Sequence, residues 1–576
     1  MHVMYIPSTP PRWWHLAWLC AAATLASCAT VSDTPVQRAP HLPGFGQALL
    51  QTSSRNADAQ RLFAQGMAQA YAFNPPEAVR AFKAALAADP RCVLCAWGVA
   101  WQLGPNINAP DRGDLAEARG HIALAQRHAA QATPLEQALL DAMAWRYGTP
   151  ADPRSDGPPG ADICGPAGGG RAHPLDLEYA NRLRGLADRL PDDPDVVSLY
   201  AEAELVATRD DWWHPSTGLP AGRVGEVADR VEHALRTHPQ HTGLNHYMVH
   251  ALDASSQAAR AVPAADRLGA LAPASPHLLH MPAHIYVKVG RYADAVQVNQ
   301  QALAAEVALT ASLKAQMLEP VWNWDRHNLH FLWFAALMRE DADLALATAR
   351  RLADMAATQT GPFAEYGRAL PLLTLARLQR WPAVLAEPLP AGTHGVASGM
   401  GLALQGLALV HTGQLQLARD KASALDTAVA AAAARSKTVR ATEEDAGSSP
   451  FVTALQAQLQ AELAQRAGNA KAAQAAWQRA TAMEDELGGE PPLLAASTRV
   501  AQGQALLRAG QWAAAEAAFR DDLRLHPANP AATRGLQQAQ RPGVVRLQHG
   551  RPTQASGRGT GSAGPLADDP LGGSER

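Results

Sequence analysis

The chain has 576 residues, enough for several cores or one long repeated one. Alanine and leucine dominate, β-branched residues are thin and aromatics make up 6%, a balance that favours helix. A formal net charge of −3 gives no electrostatic reason to expect nucleic acid or an anionic surface as partner.

The N-terminus reads as an export signal over residues 1–27. Arg12 precedes an apolar run from Trp13 to Ala26, too short to span a bilayer as a mature helix and suited to a signal core. The run ends in Leu25-Ala26-Ser27-Cys28, which resembles the bacterial lipobox. That resemblance implies that Cys28 carries lipid and begins the mature chain. Ala29 follows it, which implies an outer-membrane lipoprotein facing the periplasm, with the membrane as partner through the lipid. No later apolar run is long enough to cross a membrane.

Residues 28–55, rich in Pro, Ser, Thr and Gln, are expected to form a flexible tether. From 56 to 540 the period is helical, with loops expected at 150–173 and 436–450. Residues 541–576 are Gly, Ser, Pro and Arg with few apolar residues, and are expected to be disordered.

Within the helical region a pattern recurs. Gly66, Ala78, Phe82, Ala85 and Pro90 mark one copy. Gly290, Ala295 and Ala302 mark another, and Gly406, Gly413, Leu415 and Ala418 a third. Gly468, Ala473, Trp477 and Ala480 mark a fourth. The clearest is Gly503, Gly510, Trp512, Ala515, Phe519 and Pro527. These residues resemble the tetratricopeptide repeat (TPR), a helix–turn–helix unit of 34 residues. The resemblance covers about two-thirds of the chain and implies an all-α solenoid of antiparallel helix pairs. It also implies a concave groove for a protein or peptide partner.

Cys92 and Cys95 lie at the junction of two repeats. In an exported protein the expected state is a disulfide, within the pair or to Cys164. No βαβ unit surrounds them and Ala96 follows, so neither thioredoxin-like chemistry nor c-type haem attachment is supported.

The densest chemistry is in the central repeats, 242–350. His246 and His250 are four apart. His277, His280 and His284 follow, then His327 and His330. On a helix those spacings fall on one face. A repeat frame set by prolines and small residues begins units at Thr242, Pro276 and Arg326. By the TPR resemblance its histidine positions line the concave face, where neighbouring first helices lie side by side. His246, His250, His280 and His284 are expected to converge, with His277, His327 and His330 on the flanks. That set suits a transition metal, Cu, Zn or Fe. Asp253 is the nearest expected carboxylate ligand, with Glu202, Glu204, Glu319 and Asp325 behind it. Asn245, Asn328, Tyr247 and Tyr286 are expected outer hydrogen-bond partners. Met248 and Met281 are expected to point off the stripe, and Trp322 to Asp325 to pack as core or to form a lid.

Two functions fit these residues. One is a lipid-anchored metal-binding protein, with catalysis left open. The other is a metal-free periplasmic scaffold that holds a peptide. No His-Glu-x-x-His and no Gly-x-Ser-x-Gly occurs, so neither a zincin-type peptidase nor a nucleophile elbow is supported.

Overall fold

A computed structural model describes residues 39–108, 115–147, 173–208, 212–214, 218–321, 323–438, 450–495 and 498–541. The expected signal, Cys28, Cys164, the tail beyond 541 and most of the loops at 150–173 and 436–450 lie outside them. Every regular element described is helical. The single β contact among them is a bridge between Trp213 and Pro220.

Successive helices pack as antiparallel pairs, and each pair also packs on the next. Ala57–Tyr71 lies on Pro75–Ala88, which lies on Val93–Gln102. The local reason is a wedge. Phe82 is fully buried, and a Cβ on Gly66 or Gly98 would come within 2.5 or 2.7 Å of its ring. The ring therefore fills the space that two glycines leave on the flanking helices. Phe519 repeats the arrangement between Gly503 and Gly535. The small residues Ala78, Ala85, Ala295, Ala302, Ala418, Ala480 and Ala515 are all fully buried. The architecture is a TPR-like all-α solenoid, as expected.

Helix starts follow the frame closely. Thr242–Leu252 is capped by His241, whose ring accepts from Leu244 N–H. Pro276–His280 is capped by Ser275, and Asp325–Met338 starts one residue before the expected Arg326. Pro282 opens its own short helix, Pro282–Lys288, and Met281 joins the two with helical angles.

The expected tether is free over none of its described part. Residues 39–54 form an extended strap that binds the repeats. Leu42, Phe45 and Leu50 are buried. Ala274 N–H donates to the Gly44 carbonyl at 2.9 Å, and Gln47 N–H to Thr242 Oγ1 at 3.0 Å. Leu49 N–H donates to Asp195 and Ser53 N–H to Glu136. The strap thus crosses the N-terminal ends of successive helices. Composition read it as tether because its polar groups are backbone donors and its apolar residues are too few to show a period.

Cys92 and Cys95 are joined by a disulfide, with Cα atoms 5.2 Å apart. Alkylation of the denatured, unreduced chain should leave both unlabelled. Quantitative labelling of the two would contradict the bond.

Candidate metal centre

The seven histidines are placed by three helical stretches: Thr242–Leu252, the broken pair Pro276–His280 and Pro282–Lys288, and Asp325–Met338. Six of them form two groups of three. His246, His250 and His277 make the first, and His280, His284 and His327 the second. In each group the ligand atoms lie within 4.8 Å of one another. The expected convergence of His246, His250, His280 and His284, for one ion or two, takes the form of two groups that each hold two of the four. His277 and His327 are full members, not flanks, because each helix contributes to a neighbour's group across the repeat interface.

The rings are also enclosed, where an open groove wall was expected. His246 and His280 are fully buried, and His250, His277 and His284 are at most 7% exposed. His327 is intermediate as a residue, but its ring is buried. One phenylalanine floors each group. Phe73 packs on His246, His250 and His277 with centroids 4.4–5.4 Å away. Phe331 packs on His280, His284 and His327 at 4.4–5.1 Å. Phe73 occupies the left-handed region, φ 47°, at a helix end where other pairs place Gly290, Gly413, Gly468 or Gly510. A bulky residue there costs the backbone about 1–2 kcal/mol. Trp324 covers His277 at 4.4 Å and is itself buried.

Hydrogen-bond partners fix the tautomers. His246 Nδ1 faces the Tyr71 carbonyl at 2.7 Å, which can only accept. Nδ1 therefore carries the proton and Nε2 the lone pair. Asn299 Nδ2 donates to the Ala295 carbonyl, so its Oδ1 faces His280 Nδ1 at 2.7 Å. His284 Nδ1 faces Glu490 Oε2 at 3.0 Å, with Asp253 at 3.6 Å. In the second group both Nε2 lone pairs point inward, yet His280 Nε2 and His284 Nε2 are 3.0 Å apart. His327 Nε2 is 3.4 Å from His284 Nε2. In the first group His246 Nε2 has both His250 Nε2 and His277 Nε2 at 3.0 Å. One lone pair cannot satisfy two neighbours. A metal ion between the nitrogens would accept all three lone pairs at once, and each group could hold one. Nitrogens around one ion with bonds of 2.0–2.1 Å are separated by about 3.3 Å, close to the spacing seen.

Burial drives six of these rings toward the neutral form. Desolvation is the largest cause at each. It takes His246 and His330 down to about 3, and His250, His277, His280 and His327 well below the usual value.

His330 belongs to neither group. Tyr366 Oη donates to the Leu493 carbonyl, so its oxygen accepts from His330 Nε2 at 2.9 Å. That nitrogen carries a proton and is not a ligand. Asp253 approaches the outer nitrogen of His284, and with His284 and Glu490 it makes a third group that could hold an ion, as the expected carboxylate ligand would. The other carboxylates are engaged elsewhere or exposed. Glu202 accepts from Trp101, Glu204 pairs with Arg223, Asp325 lies near Arg351, and Glu319 is exposed.

The expected outer partners are also replaced. Asn245 bonds the carbonyls of Pro239 and His241, and Tyr286 bonds Asp266. The Asn328 amide and the Tyr247 hydroxyl are buried without a partner among the described residues. Tyr247 does stack on His246. Met248 and Met281 are core residues. The true partners, the Tyr71 carbonyl, Asn299 and Glu490, carried no local signal. Glu490 is 206 residues from His284 and comes from a loop of the C-terminal repeats.

No family model and no curated protein matches the chain. Among solved structures it is similar to the TPR domain of P58(IPK), with 11% identity over 86% of this chain and 100% of that one, at TM-score 0.21. It is similar to yeast Tom70 with 9% identity over 85% and 90%, at 0.25. The structure of Naa15/Naa10 bound to HypK-THB gives 12% over 86% and 88%, at 0.20. At such scores the likeness carries no argument about residues or function, and the architecture rests on the helix packing described above.

Proposed function

We propose that this chain is an exported, lipid-anchored helical-repeat protein that binds two transition-metal ions in adjacent buried trihistidine centres. The observation that carries it is the convergence of imidazole lone pairs at metal-ligand spacing, with outer partners that fix the ring tautomers. Three neutral imidazoles suit Zn or Cu and leave further coordination positions for water or another ligand. Rings packed against Phe73 and Phe331 inside the repeat stack are poorly placed to meet a peptide, which favours metal over a groove-binding scaffold.

The address rests on the sequence. Leu25-Ala26-Ser27-Cys28 ends the apolar run, and a disulfide at Cys92 and Cys95 suits an oxidising compartment. Elemental analysis of the purified protein should give two transition-metal ions per chain, and a Cys28→Ser chain should leave the membrane fraction. Metal-free protein after reconstitution would remove the metal reading. Retention of the serine variant in membranes at high salt would remove the lipid anchor.

A further inference from the structure

The two trihistidine groups differ in the charge around them. In the first, the one hydrogen bond to an outer group among the described residues is from His246 to an uncharged carbonyl. Among the described residues no carboxylate is hydrogen-bonded to His246, His250 or His277. The rings of Phe73, Trp324 and Tyr247 pack against them. Glu306 accepts from Trp324 N–H, but burial pushes it up to about 7, toward its uncharged form.

The second group is backed by charge. Glu490 Oε2 accepts from His284 Nδ1, and Asp253 lies beside the same nitrogen. Lys288 contacts the other Glu490 oxygen at 3.4 Å. Two carboxylates and one ammonium leave a net charge of about −1 behind the second group, by formal charges at neutral pH.

We propose that the two sites take ions of different charge: Cu(I) at His246, His250 and His277, and a divalent ion such as Zn(II) at His280, His284 and His327, with Glu490 setting the difference. The proposal rests on the metal-binding reading above. Its physical basis is desolvation. The cost of moving an ion from water into an apolar enclosure grows with the square of its charge, so a dication costs about four times a monocation of like size. Three neutral imidazoles donate electrons but cancel no charge. The second site lowers the cost with the anionic pair acting through His284. Imidazole serves copper and zinc alike, so charge, not ligand type, separates the sites. His284 offers its inner nitrogen to the ion while Nδ1 keeps its proton and donates it to Glu490 Oε2, as histidine ligands backed by carboxylates do.

The test is a pair of titrations of the metal-free full chain. Zn(II) is competed with a chromogenic chelator, and Cu(I) is delivered without oxygen from a Cu(I)-specific chelator. The expected result is one tight zinc and one tight Cu(I) bound together. Glu490→Gln should weaken zinc by about 10–100-fold, the usual effect of losing an outer partner, and leave Cu(I) affinity unchanged. His277→Ala should remove Cu(I) and retain zinc. Asp253→Asn provides a second reading of the anionic pair, with circular dichroism checking the fold of each variant. Two equal zinc sites, or equal weakening of both ions by Glu490→Gln, would overturn the division and leave metal binding standing. A chain that binds neither ion overturns both.

Discussion

Acidifying the metal-free protein should unfold it well above the pH at which carboxylates titrate. Six imidazoles, those of His246, His250, His277, His280, His327 and His330, ionise near 6.5 in the unfolded chain and well below that in the fold, because burial disfavours their charge. Between the two values the unfolded chain binds protons that the folded chain does not. Stability is therefore complete above about 6.5 and falls as the pH drops toward the folded values. Each ring contributes up to about 1.4 kcal/mol per pH unit, and six together about 8. A stability of about 5–15 kcal/mol is lost within roughly two units. Circular dichroism at fixed temperature should show the metal-free helices melting near pH 5. Bound metal should move the midpoint lower, because each proton must displace a ligand bond. A metal-free chain as stable at pH 4.5 as at pH 7 would show that the rings are already protonated or exposed.

Phe82→Ala should destabilise the first repeats by about 3–5 kcal/mol, the usual cost of emptying a buried aromatic site. The ring is fully buried and touches the backbone faces of both Gly66 and Gly98, so no side chain can relax into the space without moving a helix. Repeat stability is a sum of local and neighbour contributions, so the loss should appear as an early, separate unfolding step. The same repeat supplies the Tyr71 carbonyl and Phe73, both in contact with the first histidine group. Its metal should therefore be released in that early step, before the metal of the second group. A single unfolding transition with an unchanged midpoint would contradict the wedge.

Much of this fold was legible because its determinants are local. Thr242 and Pro276 fall where helices begin, and buried alanines recur at the small positions of the repeat. The histidines were legible as a set for the same reason. Their partition was not. Helical spacing places His277 and His280 on one face, but assigning them to different ions depends on which neighbouring helix each ring meets. The strap at 39–54 and the Glu490 loop were invisible because their contacts span up to 275 residues and use backbone groups or a single carboxylate. A lone Glu in a Gly-Gly-Glu-Pro-Pro run carries no periodic signal.

The most direct measurement is anomalous diffraction from crystals of the metal-loaded protein, collected at the absorption edges of the bound ions. Two peaks are expected. One should lie about 2.0–2.2 Å from the Nε2 atoms of His246, His250 and His277, and the other at the same distance from those of His280, His284 and His327. A single peak shared by His246 and His280, or no peak within bonding distance of these rings, would contradict the paired centres.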